Sequence, residues 1–434
     1  MEIKQPNVSR TRVVLCPDQK RVLLRPFIPG DVKKGTRIIE RILALPEERV
    51  HLLLEHTSVE FSQRHDAIRN RFLERYGQVK YMMPAAHEIT EERRLLIGSY
   101  FLAEYSLESA ALFNPSIVPH PDQTGLHPGA LRFVLSLRAT GEGHISSITF
   151  RLGVIHADQR IEVFPPTGVL TEPKPILSPR EPEGEPEIPP TSNYEVQFQP
   201  EQHLSERVLF PATLSQRNGI EDARFVCFRE GESPCTYYAT FTAYDGRAIM
   251  PEMLETADFL RFRFIMLEGT AIRNKGMALF PRKINGRFAM LSRQDNENIS
   301  IMYSDSVHLW NESQILMEPE FPWELVQIGN CGSPIETEAG WLVLSHGVGP
   351  MRRYCIGAFL LDRDDPSKVI GRLREPLIEP NQSEREGYVP NVVYSCGSLV
   401  HDGILIIPYG LADHATGFAT VPLNDVLAAM VPKG

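Results

Sequence analysis

Residues 274–293 read NKGMALFPRKINGRFAMLSR, in which two apolar runs are separated by a short turn containing Gly286. Apolar runs of this kind, closed by Gly, Asn, Pro or a charged residue, are typical of strands joined in a hairpin. Hairpins of the same form recur at residues 335–346 and 399–413. This weak repeat favours the four-stranded blades of a β-propeller, in which each hairpin brings its last polar residue to one end of the sheet.

The rest of the chain from Asn114 onward has the same texture. Short apolar segments closed by turn residues follow one another in the order LRFVLSLRA (131–139), ISSITFRLGVI (145–155), RFVCFRE (224–230), TYYATFTAY (236–244), ISIMYSD (299–305), GWLVLSHGV (340–348), RYCIGAFLLD (353–362) and GILIIPYGLAD (403–413). These segments predict an all-β repeat architecture.

The first hundred residues differ from the rest. Residues 35–48 and 50–76 carry apolar side chains at helical spacing, so two or three amphipathic helices are predicted after an extended N-terminal strand. A further helix is predicted to begin near Thr90, which suits an N-cap, and to run through residue 113. We therefore expect a mainly helical N-terminal extension over residues 1–105 and a β domain over residues 106–434.

One segment inside the β domain cannot hold a sheet ladder. Residues 167–192 read TGVLTEPKPILSPREPEGEPEIPPTS and are dense in Pro and Glu. Pro removes a backbone donor, so an extended surface connection is expected. A polyproline segment that docks a partner is the alternative.

Composition limits the partners. The 434 residues are 42% hydrophobic and 23% charged, which is ordinary for a soluble globular protein. The formal net charge of −10 argues against nucleic acid or an anionic membrane as a partner. No signal peptide or membrane span is recognisable, and six scattered cysteines without a CxxC pair indicate buried thiols in a reducing cytoplasm.

A carboxylate pair is the most informative chemical feature. In NGIEDARF (218–225), Glu221 and Asp222 lie beside Arg224 at the start of a strand. Such crowding separates pKa values and leaves one carboxyl able to donate a proton near neutral pH. The alternative is an ordinary surface ion pair.

Basic residues close several of the predicted strands or begin the turns that follow. Singly, each is a solvated charge at a strand end, but together they would form an anion pocket in which Arg supplies paired donors and Lys a point charge. The set comprises Arg138, Arg247, Lys275, Arg293 and His346.

Further polar and aromatic groups suit a sugar site, which needs directional donors and acceptors. They are Asn114, the pair Ser146 and Ser147, Tyr244, Asn274 and Asp413, and Glu221 and Arg224 are expected to contact the substrate as well. Asn114 has an alternative as a helix C-cap followed by Pro115. No dinucleotide-binding, P-loop, zinc-protease or serine-hydrolase motif is present in the sequence.

An ordered series of segments resembles glycoside hydrolase family 130, the family of mannoside phosphorylases and β-1,2-mannosidases. The similar segments are FNPS (113–116), SLRATGEGHISS (136–147), NGIEDARF (218–225), TAYDGRA (242–248), NKGMALFPRKINGRFAMLSR (274–293), IMYSDSVHLW (301–310), IGNCGSPIETEAGWLVLSHGV (328–348), IGAFLLDRDDPSKVIGRLREPLIEP (356–380) and YGLAD (409–413). They cover nearly all of residues 106–434.

The resemblance implies a five-bladed β-propeller with an axial site and with Asp222 as the general acid. It implies mannose-binding roles for Asn114, Ser147 and Asp413. The phosphate-binding groups that it implies are Arg138, Lys275, Arg293 and His346. Two departures are visible, since Ala223 replaces the usual Pro, and Ser292 precedes Arg293 where the family often has His.

The expected reaction is phosphorolysis of a β-mannoside, with inorganic phosphate as co-substrate and α-mannose 1-phosphate as the inverted product. Phosphate is already nucleophilic, so no second carboxylate is needed as a base. The alternatives are a hydrolytic β-1,2-mannosidase, with Glu221 as a base, and a carbohydrate-binding propeller without turnover. Neither enzymatic route requires a metal or an organic cofactor. The linkage, the acceptor sugar and a homo-oligomeric state are left open by the sequence.

Overall fold

A computed structural model describes residues 5–84, 88–176 and 193–432. Within these ranges, the N-terminal segment forms two strands and four helices, which are β1 (Ser9–Leu15), β2 (Val22–Pro26), α1 (Val32–Leu43), α2 (Glu47–Phe61), α3 (Ile68–Val79) and α4 (Glu91–Ser99). The helices share a core of their own, which includes Leu54, Phe72 and Leu96. The N-cap prediction at Thr90 is confirmed, because its side chain accepts a hydrogen bond from the Arg93 backbone N–H.

The predicted extension of this helix to residue 113 is wrong. Helix α4 ends at Ser99, and the chain continues as β3 (Leu102–Ser106) and β4 (Ala111–Pro119). Strand β3 pairs with β2 in register from Val22 opposite Ser106 to Pro26 opposite Leu102. This pairing overrides the helical spacing of the apolar residues. Asn114 lies inside β4, so its alternative as a helix C-cap is also wrong.

Most of the remaining strands form five groups of antiparallel neighbours in the described part of the chain, which we number I to V. Groups I and II are joined into one sheet by a single parallel pair, Gly219 opposite Ser146. Group I comprises β4, β5 (Leu131–Thr140), β6 (Ser146–Ile155) and β7 (Ile161–Val163). Three short strands follow, β8 (Lys174–Pro175), β9 (Tyr194–Gln197) and β10 (Val208–Leu209). Group II comprises β11 (Gly219–Phe228), β12 (Thr236–Tyr244), β13 (Ile249–Thr256) and β14 (Arg261–Met266).

Groups III to V repeat this pattern of neighbouring antiparallel strands. Group III comprises β15 (Lys275–Leu279), β16 (Phe288–Arg293), β17 (Ile299–Ser304) and β18 (Gln314–Met317). Group IV comprises β19 (Gln327–Asn330), β20 (Ile335–Thr337), β21 (Gly340–Val348), β22 (Tyr354–Leu361) and β23 (Val369–Arg372). Group V comprises β24 (Val393–Tyr394), β25 (Leu399–His401), β26 (Ile404–Leu411) and β27 (Ala415–Pro422), and is followed by α5 (Leu423–Ala428) and β28 (Val431–Pro432). The strands predicted from residue 131 onward are confirmed.

Each group shares a hydrophobic core with the next. The core between groups I and II contains Phe150 and Phe225. The three cores that follow join II to III, III to IV and IV to V. A fifth core joins group V back to group I through residues such as Phe418 and Leu135. The five cores therefore form a closed cycle.

The N-terminal strand belongs to the last group rather than to the helices. Strand β1 pairs with β27, from Ser9 opposite Thr420 to Leu15 opposite Thr416. Downstream of β1, the buried Arg21 donates to Glu108, which also accepts from Arg151, each at 2.8 Å. Residues 1–105 are thus tied to the β groups by a strand and by a buried ion cluster.

The cysteines depart from the expectation of buried thiols. Cys227 and Cys235 are joined by a disulfide at the β11–β12 hairpin, and Cys16 is exposed. Cys331, Cys355 and Cys396 are buried free thiols. Cysteine spacing did not reveal the pair because the two residues meet only when the hairpin folds.

Two further expectations concern linkers and membranes. Of the predicted connection 167–192, residues 177–192 lie outside the described residues. The expectation that the segment holds no sheet ladder is wrong at Lys174–Pro175, which pairs with β9, and Thr171 bridges Arg207. None of the helices in the described ranges combines the length and apolarity that a membrane crossing requires.

Candidate active site

The predicted site residues gather at matching strand ends. In antiparallel neighbours, the start of one strand lies beside the end of the next. Asn114, Asp222 and Lys275 lie in the first halves of β4, β11 and β15, each the first strand of its group. Arg138, Arg293 and His346 lie in the last parts of β5, β16 and β21, each of which pairs with the first strand of its group, and Asp413 lies in the turn after β26. Within each group these residues therefore face the same end.

Asp222 occupies an irregular point of β11. The pairing of β11 with β12 shifts register between Glu221 and Arg224, and Asp222 has a φ of 54°. A non-glycine residue in this left-handed region costs about 1–3 kcal/mol and persists only when its surroundings enforce it. Here the Asp222 Oδ1 atom accepts hydrogen bonds from Asn114 Nδ2 at 2.8 Å and Arg138 Nη1 at 3.3 Å.

The surface ion-pair alternative for Asp222 is wrong. Asp222 is 9% exposed and Arg224 is 4% exposed, so neither is a surface group. The cation that hydrogen-bonds Asp222 is Arg138 of the neighbouring group, not Arg224 of its own strand. Arg138 bridges the two carboxylates, because it also binds Glu221 at 2.8 Å.

Asp222 and Asp413 have pKa values shifted in opposite directions. Burial raises the pKa of Asp222, but the charges of Arg138 and Lys275 and the Asn114 hydrogen bond together lower it below its usual value. Burial, followed by the charge of Asp222, raises the pKa of Asp413 to about 6. In the free site, Asp413 is therefore the carboxyl that takes up a proton more readily near neutral pH.

Arg224 hydrogen-bonds residues of groups IV and V. Its Nη1 atom donates to the backbone oxygens of Asn330, at 2.6 Å, and Cys331. Its Nη2 atom donates to the Tyr394 hydroxyl at 2.6 Å. Arg224 thus links group II to β19 of group IV and β24 of group V, which differs from the substrate contact that the sequence predicts for it.

The part of the site around Arg293 is buried and cationic. The Arg293 Nη1 atom lies 3.1 Å from His346 Nε2, and the two residues are 5% and 1% exposed. Burial and the charges of Arg293, Arg224 and Lys275 hold the pKa of His346 well below its ordinary value, so this imidazole is neutral. No carboxylate pairs with Arg293 or Lys275 among the ion pairs of the described residues.

Unpartnered polar atoms mark where a ligand would lie. Buried polar groups in proteins nearly always have a hydrogen-bond partner, so each exception needs an explanation. Within the described ranges, such atoms include Asn114 Oδ1, Ser147 Oγ, Arg293 Nε, both side-chain amide atoms of Asn330, Ser333 Oγ and His346 Nδ1. Most of these belong to residues predicted to bind the substrates, and a polar ligand would satisfy them.

Some predicted residues are not linked to the central cluster. Among the hydrogen bonds of the described residues, none joins Ser147, Tyr244 or Asn274 to Asp222. Ser147 pairs opposite Ala139, one step from Arg138, so it points to the other face of the sheet. Arg247 is exposed and lies outside the cluster.

The sequence did not single out three of the residues that adjoin the cluster. Asn330 has an unpartnered buried amide, Tyr394 accepts from Arg224, and the buried Cys396 lies near Asp222 and Arg224. Asn330 does close an apolar strand, which is the signal that marked Arg293. Tyr394 and Cys396 lie in a short strand and a loop and carry no such signal. No group of three or more His, Cys, Asp or Glu side chains that could hold a metal ion occurs in the described part of the chain.

Several solved structures share the mostly-β fold of this chain. β-1,2-Mannobiose phosphorylase from Listeria innocua, in complex with β-1,2-mannobiose, matches with a TM-score of 0.52 over 74% of this chain and 92% of that chain, at 20% identity. A putative glycoside hydrolase from Parabacteroides distasonis matches with a TM-score of 0.53 over 73% of this chain and 88% of that chain, at 18% identity. The fold is therefore of the class shared by these proteins.

Sequence comparison is more specific. Residues 192–431 match the family described as β-1,4-mannooligosaccharide phosphorylase, glycoside hydrolase family 130. The chain is 35% identical to 1,2-β-oligomannan phosphorylase of Thermoanaerobacter sp. over 231 residues, which are 51% of this chain and 75% of that protein. It is 37% identical to β-1,4-mannooligosaccharide phosphorylase of Ruminococcus albus over 166 residues, 36% of this chain and 50% of that protein. The protein belongs to glycoside hydrolase family 130 and is an enzyme of that family, which confirms the resemblance seen in its sequence.

Proposed function

We propose that the protein catalyses the phosphorolysis of β-mannosides with inversion and releases α-mannose 1-phosphate. Relatives that act on β-1,2- and on β-1,4-linked oligomannosides support the substrate class. The observation that carries phosphorolysis is the buried Arg293, which has no carboxylate partner among the described residues. A buried cation is costly unless a counter-charge pairs with it. Inorganic phosphate, with three acceptor oxygens, would supply that charge.

The closed cycle of five cores supports a five-bladed β-propeller as the arrangement of groups I to V. Strand β1 would then close the ring by completing group V from the N-terminus. A hydrogen bond from Cys396 N, two residues after β24, to Pro115 O of β4 at 2.8 Å fits an axis lined by the first strands of the groups. The four helices would pack outside this ring, so the proposed division between residues 105 and 106 would hold for the helices but not for β1.

Asp222 is the proposed proton donor. Asn114, which hydrogen-bonds Asp222, and Asp413 would bind the mannose unit, and the proton would reach the glycosidic oxygen directly or through a sugar hydroxyl. Ser147, which points to the other face of the sheet, is left out of this assignment. The lowered pKa of Asp222 in the free site depends on the charges of Arg138 and Lys275. A bound phosphate would offset these charges and restore the proton affinity of Asp222.

In the reaction, a phosphate oxygen forms a bond to the anomeric carbon as the bond from that carbon to the leaving sugar breaks. The proton of Asp222 passes to the leaving oxygen, so the departing sugar is neutral. Arg293, His346, Lys275 and Arg138 would hold the phosphate on the face opposite the leaving group. His346 would act as a neutral hydrogen-bond partner, because its pKa lies well below its ordinary value.

Hydrolysis has weaker support in the geometry. A water molecule would need a base, and Glu221 was the expected group. The Glu221 Oε1 atom already accepts a hydrogen bond from Arg138 at 2.8 Å. This engagement leaves Glu221 less suited to take a proton from water.

The test is product analysis. Purified protein is incubated with β-1,2-mannobiose, β-1,4-mannobiose or mannosyl-glucose, each with and without inorganic phosphate, and the products are followed by NMR. Phosphate-dependent α-mannose 1-phosphate is the expected product, and the preferred disaccharide identifies the linkage. Free mannose formed at the same rate without phosphate would overturn phosphorolysis in favour of hydrolysis. Turnover by Asp222→Asn at the wild-type rate would refute the assignment of the acid.

A further inference from the structure

The turn that carries Asp413 is held in an unfavourable backbone conformation. Ala412 and Asp413 have φ values of 46° and 52°, in the left-handed region. Two consecutive non-glycine residues persist there only when neighbouring structure enforces the conformation. The enforcing structure is the loop of residues 385–391. Val389 N donates to Ala412 O at 2.9 Å, and Ala412 N donates to Val392 O at 2.8 Å.

The same loop packs closely on this turn. A Cβ atom at Gly387 would lie 2.6 Å from the Ala412 Cβ, so the two backbones touch with no room for a side chain. The loop is braced internally by Arg385 Nε, which donates to Asn391 Oδ1 at 2.6 Å. Any shift of this loop would therefore move the Asp413 turn.

The loop is anchored by Glu384 at its beginning. The Glu384 side chain is 7% exposed and receives Arg10 Nε at 2.8 Å and Arg10 Nη2 at 3.1 Å. The same Arg10 Nη2 atom donates to Glu379 O at 2.7 Å, and the Tyr409 hydroxyl donates to Glu384 Oε1 at 2.7 Å. Tyr409 lies on β26, four residues before Asp413. The anchor therefore spans β1, the loop and the strand that leads into the Asp413 turn.

We propose that the ion pair of Arg10 and Glu384 positions Asp413 for sugar binding, so that the N-terminal strand contributes indirectly to the active site. Arg10 is the cation that pairs with the buried Glu384 among the ion pairs of the described residues. Its fork-shaped guanidinium holds both carboxylate oxygens and a backbone oxygen at once, which Lys cannot do. Neither residue would touch the substrate, and the kinetic part of the inference rests on the proposed function.

The test compares Arg10→Gln with Arg12→Gln. Arg12 lies on the same strand, is exposed, and makes none of these contacts, so it is a matched control. Hydrogen–deuterium exchange is measured first, because it does not depend on activity. In Arg10→Gln, the amides of Val389 and Ala412 are expected to exchange about tenfold faster or more, because the opening of the loop becomes easier. Wild-type exchange at both amides would overturn the proposal.

Kinetics provide a readout that a general loss of stability would not produce. In Arg10→Gln, the KM for the mannoside is expected to rise about tenfold, while the KM for phosphate stays within twofold. Arg10→Lys should recover part of this change, and Gly387→Ala, which displaces the turn directly, should reproduce it. Equal changes in both KM values would show a structural role only and refute positioning.

The two proposals can fail separately. If the wild-type protein forms no mannose 1-phosphate, the proposed function is refuted. The exchange experiment still tests whether the ion pair of Arg10 and Glu384 holds the Asp413 turn in place. If Arg10→Gln does not fold, Glu384→Gln is measured in its place, since it retains the side-chain volume and removes the charge.

Discussion

Replacement of Arg293 by Met tests the anion site most directly. Arg293 is 5% exposed, its Nη1 atom lies 3.1 Å from His346 Nε2, and its Nε atom has no partner. A bidentate contact with phosphate would add two charge-assisted hydrogen bonds, each contributing about 1.5–3 kcal/mol. Loss of about 3 kcal/mol weakens binding about 100-fold. We therefore expect the KM for phosphate to rise about 100-fold in Arg293→Met, with little change in the KM for the mannoside.

The same substitution should not destabilise the free protein. Met removes a buried cation that lacks a carboxylate partner, and apolar replacements of buried charges are often neutral or stabilising. The melting temperature without phosphate is expected to be unchanged or higher, and the increase that phosphate produces in the wild type should disappear.

The assay measures initial rates against phosphate at constant ionic strength, together with thermal denaturation with and without phosphate. The control is Arg287→Met in the same hairpin, where the arginine side chain is 50% exposed and lies 3.3 Å from Asp305. A KM for phosphate within twofold of wild type in Arg293→Met would refute the reasoning, as would an equal rise in both KM values.

Three further substitutions test the carboxyls. Asp222→Asn should lower kcat by about 10²–10⁴ and leave phosphate-induced stabilisation intact, as measured by rates and thermal shift. The pKa of Asp413 is raised from 3.8 to about 6, so the folded state binds the proton more tightly and wild-type stability falls as the pH rises through this window. Asp413→Asn should therefore be more stable than wild type above pH 6, by up to about 3 kcal/mol, and equal to it below about pH 4 in urea denaturation; a constant difference would contradict this. Glu108→Gln should cost about 3–5 kcal/mol at pH 7, because Arg21 and Arg151 would lose their shared buried counter-charge, and a cost below 1 kcal/mol would argue against the cluster.

Strand positions were predictable because alternation and turn residues are local signals. Residues 340–348 form β21 as expected, and the run 131–139 lies within β5. The error at residues 100–113 has a physical origin. FLAEYSLESAALF places apolar residues at spacings that fit a helix, and only the pairing of β3 with β2 decides for a strand. A partner some 80 residues away leaves no trace in a local pattern.

The site residues, too, were predictable only where the signal was local. Asp222 and Arg138 are predicted from their positions at strand ends and Asn114 from its suitability for sugar binding, and the structure joins the three through two hydrogen bonds. Arg224 looked equally suitable in sequence, yet its donors are consumed by Asn330, Cys331 and Tyr394. Arg138 and Arg224 differ in function because strands from different groups pack around them differently. A local sequence pattern does not contain that information.

The pairing of β1 with β27 has a consequence for synthesis on the ribosome. Ser9 leaves the ribosome about 400 residues before Thr420. Its backbone groups cannot pair with β27 until Thr420 has been synthesised. At roughly 5–20 residues per second, this delay lasts about 20–80 s, during which β1 is an unpaired edge open to wrong partners. Arg10 and Arg12 place charge on that edge and discourage aggregation until the chain is complete. A nascent chain stalled before β27 would therefore carry most of the active-site residues and still lack the closing strand.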